Sequence, residues 1–508
     1  MNTDSALQPE ELFPRSAGIL LHPTSFPSPF GIGDLGAEAY AFIDFLEKAK
    51  QRLWQILPLT PTGFGDSPYK SDSAFAGQPL LIDLRQLVEW QLLTPEDLVG
   101  APNAQGQMVD YEEVKEWKNY RFRKAYNTFN EQPLEDLHSE YNTFYEENED
   151  WLDIYALFLA IRQYHDGAPW YQWDERYIHP IDEVRRSVSM ALEPEKNYHK
   201  FVQFLFFKQW YSLKKYANER GVLIIGDLPI FVHLDSADVW ENQHLFQLDT
   251  EGRPTHVAGV PPDYFSSTGQ LWGNPLYDWV ANKKENYRWW IRRVEHQIKM
   301  QDYVRIDHFR GFESYWSVPR DSETAIDGAW EKGPGTDLFD AIEEALGNTL
   351  PIIAEDLGLI TPEVEQLRDF LFFPGMKILQ FAFDGDYEST FLPHRYTTTN
   401  CICYTGTHDN NTSLGWYLET SEANRDKVRR YMNTSGEAIH MDFIRTCLGT
   451  IANFAIYPLQ DVLGLDGSHR MNTPGTIGGN WHWRYQSHDL TDDLAAHLAA
   501  LIKLFGRL

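Results

Sequence analysis

The sequence predicts an α/β protein built as a (β/α)8 barrel, a TIM barrel with large, mainly helical insertions between barrel strands. Three observations predict it. Eight short apolar runs of strand length recur along the 508 residues, helical stretches lie between them, and the first two runs are joined by a single helix with short connections. A doubly wound open sheet is the structural alternative, but no Gly-x-Gly-x-x-Gly fingerprint follows the first run.

The first run is Ala17-Gly18-Ile19-Leu20-Leu21, closed by His22-Pro23. Gly36 to Lys50 follows with Tyr40, Ile43, Phe45 and Leu46 at helical spacing, and Arg52 to Leu59 is the second strand. From Thr60 to Gly221 the pattern pauses, over a length no ordinary connection needs. Leu93 to Tyr126 and Leu134 to His165 are rich in Glu, Lys, Trp and Tyr at helical spacing, and Asn197 to Arg220 reads as a long helix leading back. Strands return at Val222 to Asp227, Tyr303 to Asp307, Pro351 to Glu355, Met376 to Phe383, Cys401 to Thr405 and Ala452 to Pro458. Lys284 to Lys299 and Asp337 to Leu346 are helices between them. The expected organisation is one catalytic barrel domain, 1–508, interrupted by a mostly helical subdomain at 61–220 and by an insertion at 229–280 that serves as a lid.

The formal charge of −30 at pH 7, with no basic block, makes nucleic acid and anionic membrane poor partners. Aromatic residues are 14% of the chain, with 17 Trp, and flat amphipathic rings suit the apolar C–H faces of sugars as well as a core. Cys401, Cys403 and Cys447 are too few and too oddly numbered for a disulfide framework, which points to reduced thiols in the cytoplasm. Met1 to Pro14 lacks signal-peptide character, and no run of about 20 apolar residues offers a membrane span.

Chemistry in such barrels sits at the carboxyl ends of the strands. There the sequence places Asp227, Asp307, Glu355 and the pair His408-Asp409. At the two-residue period of a strand, Arg305 shares a face with Asp307, which by itself reads as a structural ion pair. Several carboxylates on one rim are more than folding requires and suit glycosyl chemistry, which needs an ionised nucleophile and a protonated acid. Arg305 favours the charged form of Asp307, making it the nucleophile; apolar Ile353 and Ala354 beside Glu355 favour its protonated form, making it the acid/base. Asp409 is the third party, ionised and bonded to sugar hydroxyls. A divalent cation on the same residues is the less favoured alternative, because Arg305 repels it and no His-x-x-x-His or EF-hand spacing is present. No cofactor and no metal are expected.

Long motifs surround these residues. They include Ser67-Pro68-Tyr69, Gly226-Asp227-Leu228-Pro229-Ile230, Gly259-Val260-Pro261-Pro262-Asp263-Tyr264-Phe265 and Leu271-Trp272-Gly273-Asn274-Pro275. Arg305-Ile306-Asp307-His308-Phe309-Arg310-Gly311, Ile353-Ala354-Glu355-Asp356-Leu357-Gly358 and Gly406-Thr407-His408-Asp409-Asn410 complete the set. With them the chain, from about Ala17 onward, resembles the amylomaltases, also called disproportionating enzymes or 4-α-glucanotransferases, of the α-amylase clan. The resemblance implies Asp307 as nucleophile, Glu355 as acid/base and Asp409 as transition-state stabiliser. It also implies that Arg305, His308 and His408 line the donor subsite with Tyr69 and Trp272 nearby, that Asp263 lies over the acceptor side, that Phe381 sits beside the acceptor groove, and that Asp227 arranges the site. The partners it implies are an α-1,4-glucan donor and a glucose or glucan acceptor. His233 and the loop Thr476-Ile477-Gly478-Gly479 before Asn480-Trp481 depart from the family pattern, which bears on acceptor preference.

The residues alone leave hydrolysis, transfer and non-catalytic glucan binding open. A covalent glucosyl-enzyme can be resolved by water or by a sugar hydroxyl, and transfer requires water to be kept out while an acceptor docks. Gly259 to Tyr277, with Pro261, Pro262, Tyr264, Phe265 and Trp272, has the composition of a lid or of an ordinary packed loop. The family resemblance favours transfer.

Overall fold

The computed structural model of the protein describes residues 12–508 except 103–105, 107, 180–181, 263–265, 348, 385–387 and 477. The eight apolar runs form parallel strands: β1 (Ser16–Leu20), β2 (Leu53–Gln55), β3 (Leu223–Pro229), β4 (Tyr303–Asp307), β5 (Ile352–Ala354), β6 (Gly375–Ile378), β7 (Cys401–Tyr404) and β8 (Phe454–Pro458). Around the sheet they run β6-β7-β8-β1-β2-β3-β4-β5, so the first strand pairs with the last, Ala17 opposite Ala455. Between β5 and β6 the ladder gives way to a backbone bond from Ala354 N–H to Pro374 O at 3.0 Å, which closes the ring. This is the (β/α)8 barrel the sequence predicts. Gly18 lets β1 and β2 approach, since a Cβ there would lie 2.2 Å from the Leu53 carbonyl oxygen.

The two-residue period of β4 organises the interior. Tyr303 packs on Phe13 and Phe454, with ring centroids 5.3 and 5.2 Å away, and plugs the amino-terminal end. Arg305 lies in the next layer, its Nε 3.5 Å from Met376 Sδ, and Asp307 reaches the carboxyl-terminal mouth. Val304 and Ile306 are buried on the other face.

Between β2 and β3 lie the helices Tyr111–Glu131, Glu135–Tyr164 and Glu193–Glu219. Asp110 starts the first by accepting the Glu113 N–H at 3.1 Å. Lys118 on that helix is fully buried, donating to the carbonyls of Leu80 (2.7 Å) and Ile82 (2.8 Å). Two glutamines of Glu193–Glu219 clamp the chain after β2: Gln203 bonds both backbone groups of Gly77, and Gln209 both of Asp83. These contacts fasten helices to the barrel through groups that otherwise remain buried and unpaired.

The second strand is shorter than the Arg52 to Leu59 expected, ending at Gln55, and the first long helix begins at Tyr111 rather than near Leu93; two further differences bear on the site. The sixth strand ends at Ile378 and the chain turns into a short helix, Leu379–Asp384, where strand was expected as far as Phe383. Ala382 and Phe383 bury against neighbouring helices there, and a short apolar run satisfies either period. Residues 229–280 hold, besides short helices, the strands His256–Val260 and Gln270–Pro275. These join Ser314–Pro319 and Ala329–Lys332, beyond β4, in an antiparallel sheet with its own small core of Val257, Val318 and Ala325. Among the described residues no helix is long and apolar enough to cross a membrane.

Candidate active site

The parallel register sets Asp227 on β3 directly opposite Arg305 on β4. The Arg305 guanidinium divides its donors: Nη1 reaches both Asp227 oxygens at 2.8 and 2.6 Å, and Nη2 reaches Asp307 Oδ1 at 3.0 Å. Asp227 and Arg305 side chains are 0% and 4% exposed, whereas Asp307 keeps 31%, so only Asp307 faces the cleft. Arg305 also brings its own positive charge to the place between the carboxylates where a cation would have to sit.

Glu355 follows β5 directly. Its Oε2 accepts the His308 N–H at 2.7 Å and its Oε1 the Leu357 N–H at 3.0 Å. His308 adopts a left-handed backbone, φ 56°, as β4 gives way to a turn, and this aims its N–H at the neighbouring strand end. Burial, reinforced by the charge of Asp307, pushes the Glu355 carboxyl up to about 8. Burial pushes Asp307 up to about 6; Arg305 opposes, and Asp227 and Asp409 add to the rise. The expected ion pair with Arg305 is therefore present but does not hold Asp307 within the ordinary carboxylate range, because desolvation outweighs it. The order of the two groups is the useful result: between these values the proton resides on Glu355 and the charge on Asp307.

Asp409, past the end of β7, faces the same mouth. Asn472 Nδ2 donates to its Oδ1 at 2.6 Å, Arg470 Nη2 donates to its backbone oxygen at 2.7 Å, and His408 Nε2 lies 3.3 Å from the carboxylate. The Tyr69 hydroxyl links two of these groups, donating to Asp227 Oδ2 at 2.8 Å and lying 2.9 Å from His408 Nε2. A hydroxyl whose proton is committed to a carboxylate accepts at its oxygen, which places the proton of His408 on Nε2. The rings of Tyr69 and His408 stack at 5.4 Å, and Trp481 closes on both at 5.8 and 6.0 Å.

His308 sits edge-on to Trp272, centroids 4.8 Å apart, and its buried Nε2 finds no hydrogen-bond partner among the described residues. Burial, with Arg310 adding, lowers its pKa to about 3, so it meets a ligand neutral. Phe381 lies on the short helix after β6, half-buried, with its ring 5.6 Å from Phe391. Asp263 lies outside the described residues. The structure thus brings together Asp227, Arg305, Asp307, Glu355, His408, Asp409 and Tyr69, with His308 and Trp272 adjoining. Sequence reasoning missed Asn472 and Arg470, and named Trp481 only as following a loop that departs from the family pattern, not as a residue of the site. The signal for Trp481 was its place after Gly478-Gly479; its own φ of 69° is rare for a bulky residue.

The family profile described as 4-alpha-glucanotransferase, glycoside hydrolase family 77, matches residues 21–491. The chain belongs to the 4-alpha-glucanotransferase family. It is 50% identical over 495 residues to the 4-alpha-glucanotransferase of Synechocystis sp., covering 97% of this chain and 98% of that one. It is 47% identical over 502 residues to the Thermus thermophilus 4-alpha-glucanotransferase, covering 97% and 99%. Among solved structures, an amylomaltase from Streptococcus agalactiae in complex with acarbose superposes with a TM-score of 0.93 at 41% identity, covering 97% of this chain and 99% of that one. The chain is therefore an enzyme, a 4-alpha-glucanotransferase whose substrates are α-glucans. The 4-alpha-glucanotransferase match runs from the end of β1 to beyond β8 and takes in every residue of the site above.

Proposed function

We propose that this enzyme moves a segment of an α-1,4-glucan from a donor maltooligosaccharide or starch-type glucan to the 4-hydroxyl of an acceptor glucan or of glucose, intramolecular cyclisation included. The arrangement that carries this reading is Asp307, bonded to Arg305 at 3.0 Å, beside Glu355, which is held by the His308 N–H at 2.7 Å and which burial raises further than Asp307. In the first step Asp307 attacks the anomeric carbon while Glu355 gives its proton to the departing glycosidic oxygen, leaving a covalent glucosyl-enzyme. In the second, the Glu355 carboxylate takes the proton of the acceptor 4-hydroxyl, whose oxygen displaces Asp307 from the same carbon. One glycosidic bond replaces another and configuration is retained. Asp409, anchored by Asn472, stabilises the positive charge that develops on the ring.

The remaining residues bind. Tyr69, Arg305, His308, Trp272 and His408 surround the donor glucose, Asp227 holds Arg305 in place, and Phe381 borders the acceptor groove. The unpaired His308 Nε2 supports a sugar hydroxyl as its partner. The S. agalactiae relative's complex with acarbose supports a saccharide in the corresponding cleft. We place the enzyme in the cytoplasm, a reading supported by its three buried free cysteines.

Incubation with maltotriose tests the proposal. Transfer yields glucose together with longer oligomers at constant total reducing ends. A steady rise of reducing ends without longer products would mean hydrolysis and would overturn it.

A further inference from the structure

The four-stranded sheet carries an aromatic pair that the reaction does not use. Trp316 and Trp330 are register partners on Ser314–Pro319 and Ala329–Lys332, with edge-to-face rings 5.1 Å apart. Trp316 is fastened into the sheet: its Nε1 donates to Ala325 O at 2.8 Å, and Gly328 makes room for it, since a Cβ there would stand 2.3 Å from that nitrogen. Trp330 is held differently. The buried guanidinium of Arg310 lies under its ring, 3.8 Å from the centroid, yet 42% of the residue is exposed.

The position of this ring relates it to the cleft. Arg310 is three residues beyond Asp307, a path of at most ~11 Å of chain. Its Nη1 donates to the Leu359 carbonyl, four residues beyond Glu355. Trp330 therefore stands beside the turns that follow β4 and β5, the second of which starts at Glu355, the group proposed to protonate the oxygen of the leaving glucan. The Glu313–Lys332 pair flanks it with polar groups, Lys332 being on the same face of the strand. Merely covering Arg310 does not call for an aromatic ring with its outer face in water. On a protein of net charge −30 a neutral saccharide also meets no repulsion, unlike an anionic partner.

We propose that the exposed face of Trp330 is a distal acceptor-side subsite that stacks on the apolar C–H face of a glucose unit in a long α-glucan. This rests on the proposed function in one respect: the occupant is the chain that runs through the cleft.

The test uses Trp330→Leu, which keeps a cover over Arg310, and Trp330→Phe, which keeps a platform. Maltoheptaose is titrated calorimetrically into each on a Glu355→Gln background, where turnover is suppressed. Leu is expected to weaken binding about five- to tenfold and Phe by no more than about twofold. In the active enzyme, Trp330→Leu raises KM for maltoheptaose by a similar factor and keeps kcat, while maltotriose kinetics hold and report an intact catalytic centre. Unchanged maltoheptaose affinity in the Leu variant would overturn the subsite. So would parallel losses on maltotriose and maltoheptaose, which would make Trp330 a support for the Arg310 turn instead. Should the parent enzyme fail to disproportionate maltotriose, the proposed function falls, and the calorimetric comparison still decides the platform.

Discussion

The Glu355 carboxyl accepts the backbone N–H of His308 at 2.7 Å, so the residue next to Asp307 in the chain fixes the position of its partner carboxyl. The proposed acid and nucleophile are thereby joined through one peptide unit. Their separation is set by the backbone rather than by flexible side chains, and so is their influence on each other's proton.

The first prediction concerns pH. The proposed mechanism requires Asp307 ionised and Glu355 protonated, so kcat/KM should rise as pH climbs through about 6 and fall through about 8. A rate profile measured with maltotriose between pH 4 and 10 checks this, those limits being about two units outside the two values. A plateau extending to pH 10 would remove Glu355 from the role of acid.

Stability gives a second test of the same group. The folded pKa of Glu355 is raised, so its contribution is complete below the unfolded value and is lost as pH rises through about 8. Glu355→Gln should therefore raise the melting temperature by about 2 °C or more at pH 9, above that range, and by much less in mildly acid buffer. The same variant should lose about a thousandfold in rate on maltotriose and far less on glucosyl fluoride, whose leaving group needs no proton. Equal losses on the two donors would contradict the assignment.

Asp307→Asn should abolish transfer, by roughly four orders of magnitude or more, with the fold intact because Arg305 keeps Asp227 as its partner. Mass spectrometry after quenching with glucosyl fluoride should find a glucosyl adduct on the Glu355→Gln enzyme and none on this one. An adduct on Asp307→Asn would show that another residue is the nucleophile.

Tyr69→Phe removes a hydroxyl that serves Asp227 and His408 together. Two buried polar atoms lose a partner, so kcat/KM should fall about ten- to a hundredfold and the melting temperature by a few degrees. Steady-state kinetics beside thermal melts separate this from a loss of activity with unchanged stability, which would mean that the hydroxyl touches substrate directly.

Lys118→Met tests the attachment of the helices. It leaves the Leu80 and Ile82 carbonyls unpaired, so the protein should lose about 3 kcal/mol against urea while room-temperature turnover of maltotriose stays within about twofold.

The barrel was legible because its strands are mainly short apolar runs buried on both faces, and the three carboxylates because they end or follow such runs. The small sheet was not legible. Gln270–Pro275 alternates half-exposed residues with Gly273 and carries no apolar stripe, and its sheet joins segments lying before and after β4. Phe381 was read on a strand because Met376 to Phe383 is short enough to satisfy both periods. Asn472 and Arg470 were invisible for another reason: they reach Asp409 from a loop more than sixty positions further on, and nothing local marks a residue that acts across such a distance. Nor did the motifs reveal that burial would outweigh Arg305 at Asp307, which depends on what packs around the pair.

The pairing of β1 with β8 governs how the molecule is made. As the chain leaves the ribosome, Ser16–Leu20 emerges before the other barrel strands, and Phe454–Pro458, the neighbour on one of its edges, after all of them. Until then that edge keeps unpaired N–H and C=O groups beside apolar side chains, the combination that recruits stray strands. Nascent chains stalled before Phe454 should therefore be the species that chaperones hold and that aggregates, whereas emergence of Phe454–Pro458 should bring abrupt protection from proteases.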